Sequence, residues 1–166
     1  PRSSSAASDV YKRQIVLLLV AGAMWSLGGL LIKSIPWHPL AISGMRGGIA
    51  AIVLYSFSKE KKIIITLDKI LAACFYTLVV TLFVVSNKLT TAGNAILLQY
   101  TAPVYVALFG YMFLGEKSNL IDWVTIFIML GGLALFFLDD LSFDGYLGNA
   151  LAILSGVSFA ALTISL

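Results

Sequence analysis

Between Thr90 and Lys117 the chain reads TTAGNAILLQYTAPVYVALFGYMFLGEK, an apolar run interrupted by side chains that hydrogen-bond without carrying charge. The run is long enough to cross a bilayer as a helix, since roughly 20 residues rising about 1.5 Å each span the hydrocarbon. At a helical turn of 100° per residue, Asn87, Thr91, Asn94, Thr101 and Tyr105 fall on one side with Leu98 among them, while Gln99, Tyr100 and Pro103 point elsewhere. Lipid offers no hydrogen-bond partners, so a polar stripe must face protein or a water-filled cavity. Two chemistries fit. The stripe lines a pathway and offers amide and hydroxyl groups to a polar cargo, or it bonds to neighbouring helices as packing glue. Gln99, Tyr100 and Pro103 then serve packing and the bending of the helix.

Two cations are placed where they could add to such a pathway. Arg46 lies about seven residues inside an apolar run that opens at Pro39, roughly 10 Å from its start. An arginine near the bilayer centre costs about 2.5–3.5 kcal/mol on insertion scales, less where it snorkels. Lys33 closes the first apolar run on a stripe of small residues. Either both reach the outer headgroups, or they make the outward half of a cavity electropositive and attract anionic cargo. No Asp or Glu stands in the middle of any apolar run, so these residues supply no embedded carboxylate of the kind that proton-coupled carriers use. His38, the single histidine, falls in a loop where solvation is the expectation. Cys74 is the single cysteine and excludes an intramolecular disulfide or a cysteine-rich metal site. The internal Ser and Thr residues have no base beside them, so the expectation is no enzyme, no metal and no cofactor.

The elements that must position these groups follow from composition. Of 166 residues, 60% are hydrophobic and only 11% charged, against about 25% charged in a soluble domain. This is the composition of an all-α, polytopic membrane helix bundle. The net charge of +3 sits mainly in loops and reads as topology, with no basic patch for nucleic acid. Six apolar runs are visible: about 15–35, 39–57, 67–86, the opening stretch, 120–138 and 145 to the end. Connections are short, so consecutive helices are antiparallel neighbours. The cluster Lys59, Glu60, Lys61, Lys62 belongs in the cytoplasm. Counting from it, Lys12, Arg13 and the Glu116–Lys117 turn are inside, and Asp139, Asp140 and Asp144 outside. Lys33 and Lys88 are the outer exceptions.

Local signals mark the helix starts. Pro39 opens the second span where its missing N–H is harmless; Asn119 with Asp122 caps the fifth, and Asp144 caps the sixth. Small residues at Gly22, Ser26 and Gly29, at Gly44 and Gly48, and at Gly131 and Gly132 allow close helix approach. Residues 1–14, PRSSSAASDVYKRQ, show no apolar periodicity and read as a disordered leader or foreign sequence, with no element assigned.

The pattern Thr90, Ala92, Ala95, with Pro103 to Leu108 and the closing Leu114 to Lys117, resembles the fourth helix of EamA-type proteins of the drug/metabolite transporter superfamily. Trp25, Ser26 and Lys33, followed by Pro39 and Arg46, are similar to that family's first two helices, although the Ser26 position often holds Gly there. The resemblance implies ten helices in two five-helix repeats of inverted orientation. On that reading residues 15–138 are the first repeat and 145–166 the first helix of a truncated second. A weak internal match agrees: aligning Gly156 on Gly22 sets Phe159 on Trp25 and Ala160 on Ser26. The implied function is a secondary transporter, an exporter of small metabolites or amino acids working by alternating access; a helical membrane scaffold or chaperone-like protein is the alternative. The implied pathway residues are Trp25, Ser26, Lys33, Arg46, Thr91, Asn94, Thr101 and Tyr105. Expected partners are a small-molecule substrate, the lipid bilayer, the second half of the same chain and a second copy in a homodimer. The expected location is the inner membrane of a prokaryotic cell, crossed several times with the N-terminus cytoplasmic.

Overall fold

The computed structural model describes residues 2–58, 65–115, 117–138, 141 and 144–166. Among them there are seven α-helices and no strand. Residues 1–36 form one unit and residues 37–166 a second. The first unit is a single helix, α1 (Arg2–Ser34). It runs on through residues 2–14, for which composition predicts no element; Ala, Lys, Arg and Gln in that stretch are good helix formers. Its apolar part, Val10–Ser34, is long enough to cross a bilayer.

The second unit holds α2 (Pro39–Phe57), α3 (Leu67–Leu89), α4 (Ala92–Gln99), α5 (Ala102–Leu114), α6 (Leu120–Phe136) and α7 (Tyr146–Ser165). α2 begins at the expected proline. His38 is more than a solvated loop residue, because its Nδ1 accepts a hydrogen bond from the Leu40 N–H at 3.3 Å and caps the helix. Asp122 fills its expected role at the start of α6, where Oδ2 accepts from the Asn119 N–H at 2.7 Å. At α7 the expectation needs correction. The N-cap is Gly145, with φ of +80°, one residue beyond Asp144.

The fourth span is two helices rather than one. Between α4 and α5, Tyr100 and Thr101 form a turn. Pro103 has no N–H to give the Gln99 carbonyl, which breaks the ladder at this point. The Thr101 hydroxyl donates to the Leu98 carbonyl at 2.6 Å and takes up part of the lost bonding. α5 ends at Gly115, whose φ of +70° is a left-handed cap. A second interruption precedes α4, because Thr90 is extended with φ of −136° and ψ of −174°. The single helical wheel drawn through Asn87 and Asn94 therefore does not exist. Asn87 belongs to α3, and Thr91 is the N-cap of α4.

α7 packs against α3, α4 and α5, while α2 packs on α3. Its direction follows from which residues meet. Gly145 and Gly148 lie on Leu89 and Thr90, and Ser155 bonds to the Val79 carbonyl, so α3 and α7 are antiparallel. Asn149 meets Asn94 and Ser155 meets Gln99, so α4 and α7 run the same way. The chain must return across the bilayer between them, and α6 is the helix available to do it. Its 17 residues span about 25 Å, at the short end of what crosses a hydrocarbon core. Six spans result, with α4 and α5 together forming the fourth.

The core is made of small side chains. Val79, Val84, Ala95, Ala102, Ala152 and Ala160 are buried, whereas Leu54, Phe113, Phe127 and Leu135 are largely exposed, as lipid-facing residues are. Close helix approach falls at other glycines than spacing suggests. A Cβ added at Gly44, Gly48, Gly131 or Gly132 would meet nothing within 4 Å. At Gly148 it would lie 2.8 Å from the Leu89 carbonyl carbon, and at Gly156 it would lie 3.0 Å from the Gln99 carbonyl oxygen.

Candidate functional site

The polar groups of the second unit gather where the end of α3, the start of α4 and the first turns of α7 meet. Asn94 is 5% exposed. Its amide Nδ2 donates to Asn149 Oδ1 at 3.0 Å and to Thr90 Oγ1 at 3.2 Å. Thr90 Oγ1 in turn donates to Asn149 Oδ1 at 2.7 Å, which closes a triangle of three side chains from three segments. Thr91 Oγ1 accepts from the Asn94 N–H at 3.1 Å, so it caps α4 and holds the asparagine in place. The triangle forms because Gly145 and Gly148 let the backbone of α7 lie directly on Leu89 and Thr90.

Beside this knot, on α3, Ser86 and Asn87 are wholly buried. Ser86 Oγ and both polar atoms of the Asn87 amide have no hydrogen-bond partner. Deeper along α7, Gln99 Nε2 donates to Ser155 Oγ at 2.9 Å, and Ser155 Oγ donates to the Val79 carbonyl at 3.0 Å. This relay ties the end of α4 to α7 and α3 immediately ahead of the helix break. Beyond the break a groove of about 490 Å³ runs between α5, α6 and α7. Pro103, Val106 and Gly110 line one wall and Phe159 another, with Lys117 and Asp122 at its far end.

The residues expected to line a pathway separate into groups. Thr91 and Asn94 are in the knot. Thr101 is half-buried at the break with its hydroxyl on Leu98, and Tyr105 is half-buried one turn further on. Arg46 is exposed on α2, one turn from Ser43, whose hydroxyl meets that of Thr81 on α3 at 3.0 Å. Lys33 is exposed in the last turn of α1, in the other unit. The side chains of Trp25 and Ser26 lie outside the described residues. So do residues 59–64, Glu116, Asp139 and Asp140, which carry most of the loop charges used for orientation. Among the described residues no three His, Cys, Asp or Glu side chains come together as a metal site.

Three members of these hydrogen-bond networks are not among the residues that the helical wheel picks out. Asn149 is a lone amide in an apolar helix, a signal that was there to be read. Ser155 looks like any small residue in a membrane helix. Gln99 points away from the stripe only on an unbroken wheel, and the turn at Tyr100–Thr101 ends that wheel.

The fold and the knot together define a multi-pass helical membrane protein whose uncharged polar groups are collected between its helices. The family follows from comparison. Residues 12–138, well over half of the chain, match the model of the EamA-like transporter family. The chain belongs to that family, and hence to the transporters of the drug/metabolite superfamily. No curated protein and no solved structure matches it. α7, which pairs with Thr90, Asn94 and Gln99, begins beyond the matched residues.

Proposed function

We propose that this chain is a secondary transporter exporting small metabolites or amino acids by alternating access. Its setting would be a prokaryotic inner membrane, with the N-terminus in the cytoplasm. The observation that carries the reading is the broken fourth span. Its outer half, α4, is tied to α7 by the Asn94–Asn149–Thr90 triangle, while its other half, α5, borders a groove. Broken helices at mid-membrane depth are where carriers of this architecture place their polar sites. In the proposed orientation the knot closes the outer end and the groove lies at the inner end, the arrangement of one of the two states that alternating access requires.

Asn94, Thr91, Thr101 and Tyr105 offer hydrogen bonds to the cargo, and the family resemblance adds Trp25 and Ser26 to the pathway residues. The same reading gives Lys33 and Arg46 the role of favouring anionic or carboxylate-bearing cargo. The second repeat of the same chain, or a second copy, supplies the opposite wall. The test is flux of a metabolite and amino-acid panel into vesicles holding the folded full-length protein. At least one compound is expected to move above protein-free background, with anions slowed by Arg46→Gln. If no compound moves, transport of this class is refuted. Unchanged flux of every transported anion in the variant refutes the role of Arg46.

A further inference from the structure

Ser86 and Asn87 present a physical problem that the knot beside them does not. Thr90, Asn94 and Asn149 are hydrogen-bonded to one another, as a structural lock in an apolar setting should be. Ser86 and Asn87 have no accessible surface, and their hydroxyl and amide are paired with nothing. Buried polar groups in folded proteins nearly always have partners, and lipid cannot provide one. A serine in a helix can also bond back to the preceding turn, and Ser86 does not. An unpaired buried group in a native structure has a reason, and a second state of the molecule that satisfies it is one such reason.

α7, which lies on the adjoining Leu89 and Thr90, is suited to leaving. Over Leu89 and Thr90, α7 presents Gly145 and Gly148, which press backbone on backbone without an interlocking side chain. There the side chain of Asn149 accepts from Thr90 and Asn94. Two turns further on, Ser155 bonds to two other helices at once, and Gly156 sits against the carbonyls of Leu98 and Gln99. The two attachments are separate, so the first turns of α7 can lift while the Ser155 region holds.

We propose that the junction of the α7 start with the α3–α4 turn is a seal that opens in the working cycle. In the open state Ser86 and Asn87 bind water or a neutral polar group of the cargo. The amide supplies two donors and an acceptor, and the hydroxyl supplies one donor and accepts as well. That set suits a hydroxyl, amide or amino-acid backbone rather than an isolated charge. The proposal deepens the transport reading and rests on it, yet both experiments that test it proceed without any cargo.

In the full-length chain in lipid vesicles, Cys74→Ser with Asn87→Cys leaves a single engineered thiol within the seal. A charged, membrane-impermeant methanethiosulfonate is expected to label it at least about tenfold faster than a thiol placed by Ala160→Cys, equally buried but away from the seal. Labelling no faster than at position 160 overturns the proposal. A second experiment leaves Asn87 in place. Thr90→Cys with Asn149→Cys, in the Cys74→Ser background, puts a disulfide where the two side chains now touch at 2.7 Å. Amide hydrogen exchange across Ser86–Ala95 is expected to slow at least about tenfold on oxidation and recover on reduction. Equal exchange in both redox forms overturns the seal, whereas failure of transport itself is read only in the flux assay.

Discussion

Replacing Gly148 with alanine tests whether α7 lies on the α3–α4 turn as closely as the geometry demands. The added Cβ would stand 2.8 Å from the Leu89 carbonyl carbon and 2.9 Å from both the nitrogen and the Cβ of Thr90. Two of these three atoms are backbone, so no rotamer change relieves the contact. Ordinary carbon contacts are about 3.5–4.0 Å, so α7 must withdraw by something over half an ångström. Overpacking of this kind costs about 1–3 kcal/mol. Withdrawal also stretches the Thr90–Asn149 bond, now 2.7 Å, and interhelical bonds in membranes are worth about 0.6 kcal/mol on average. Alanine returns up to about 1 kcal/mol of helix propensity. The net expectation is a loss of about 1–2 kcal/mol, a factor of about 5–30 in the folded-to-unfolded ratio. Reversible unfolding in mixed detergent–SDS micelles, followed by circular dichroism, measures it. Gly131→Ala is the control, because its Cβ meets nothing within 4 Å and should be neutral or stabilising by up to about 1 kcal/mol. If Gly148→Ala were as stable as the native protein while Gly131→Ala was not, the close approach of α7 would be refuted.

Three further substitutions probe the same geometry. Asn149→Ala removes the acceptor shared by Thr90 and Asn94 and should cost about 1 kcal/mol in the same titration, since those two groups can still bond to each other; no loss would mean that the triangle is incidental. Ser155→Ala strands the Gln99 amide and should cost about 1–2 kcal/mol, with equal stability counting against the relay. Pro103→Ala restores an N–H for the Gln99 carbonyl, so amide exchange across Tyr100–Val104 should slow as the fourth span straightens. Unchanged exchange would show that something other than the proline breaks the helix.

Features set by a few neighbouring residues were legible in the sequence. Pro39, the Asn119–Asp122 cap and the existence of every span follow from local chemistry and from runs of apolar residues. Pro103 was legible as a bend, although not as the two-residue turn that separates α4 from α5. What depends on tertiary contact was not legible. The pair Gly44 and Gly48 looks like any close-packing motif, and so does Gly131–Gly132, yet in the chain's own fold all four face open space. The glycines that carry close contact are in α7, where the neighbouring helix decides their use. Gln99 meets Ser155 although an unbroken wheel turns it away from Asn94, for the same reason. A wheel continued through an extended Thr90 and a turn at Thr101 loses its phase at both points.

Pathway lining is the role we propose for the polar groups of the fourth span, and packing glue is the condition in which the structure holds several of them: Thr90 and Asn94 bond to Asn149, and Gln99 bonds to Ser155. Both acceptors come from α7, beyond the residues that match the family. Without that helix, the amides and hydroxyls of the third and fourth spans would turn to lipid, where each unpaired group costs several kcal/mol. Burying them therefore requires a helix in the place of α7, and the strength of its attachment determines whether the arrangement can also move. Membrane hydrogen bonds worth well under 2 kcal/mol each hold a helix in register without locking it permanently. The hydrogen bonds that Thr90, Asn94 and Asn149 share hold the start of α7 on the α3–α4 turn, and the proposed seal opens only where those bonds are given up.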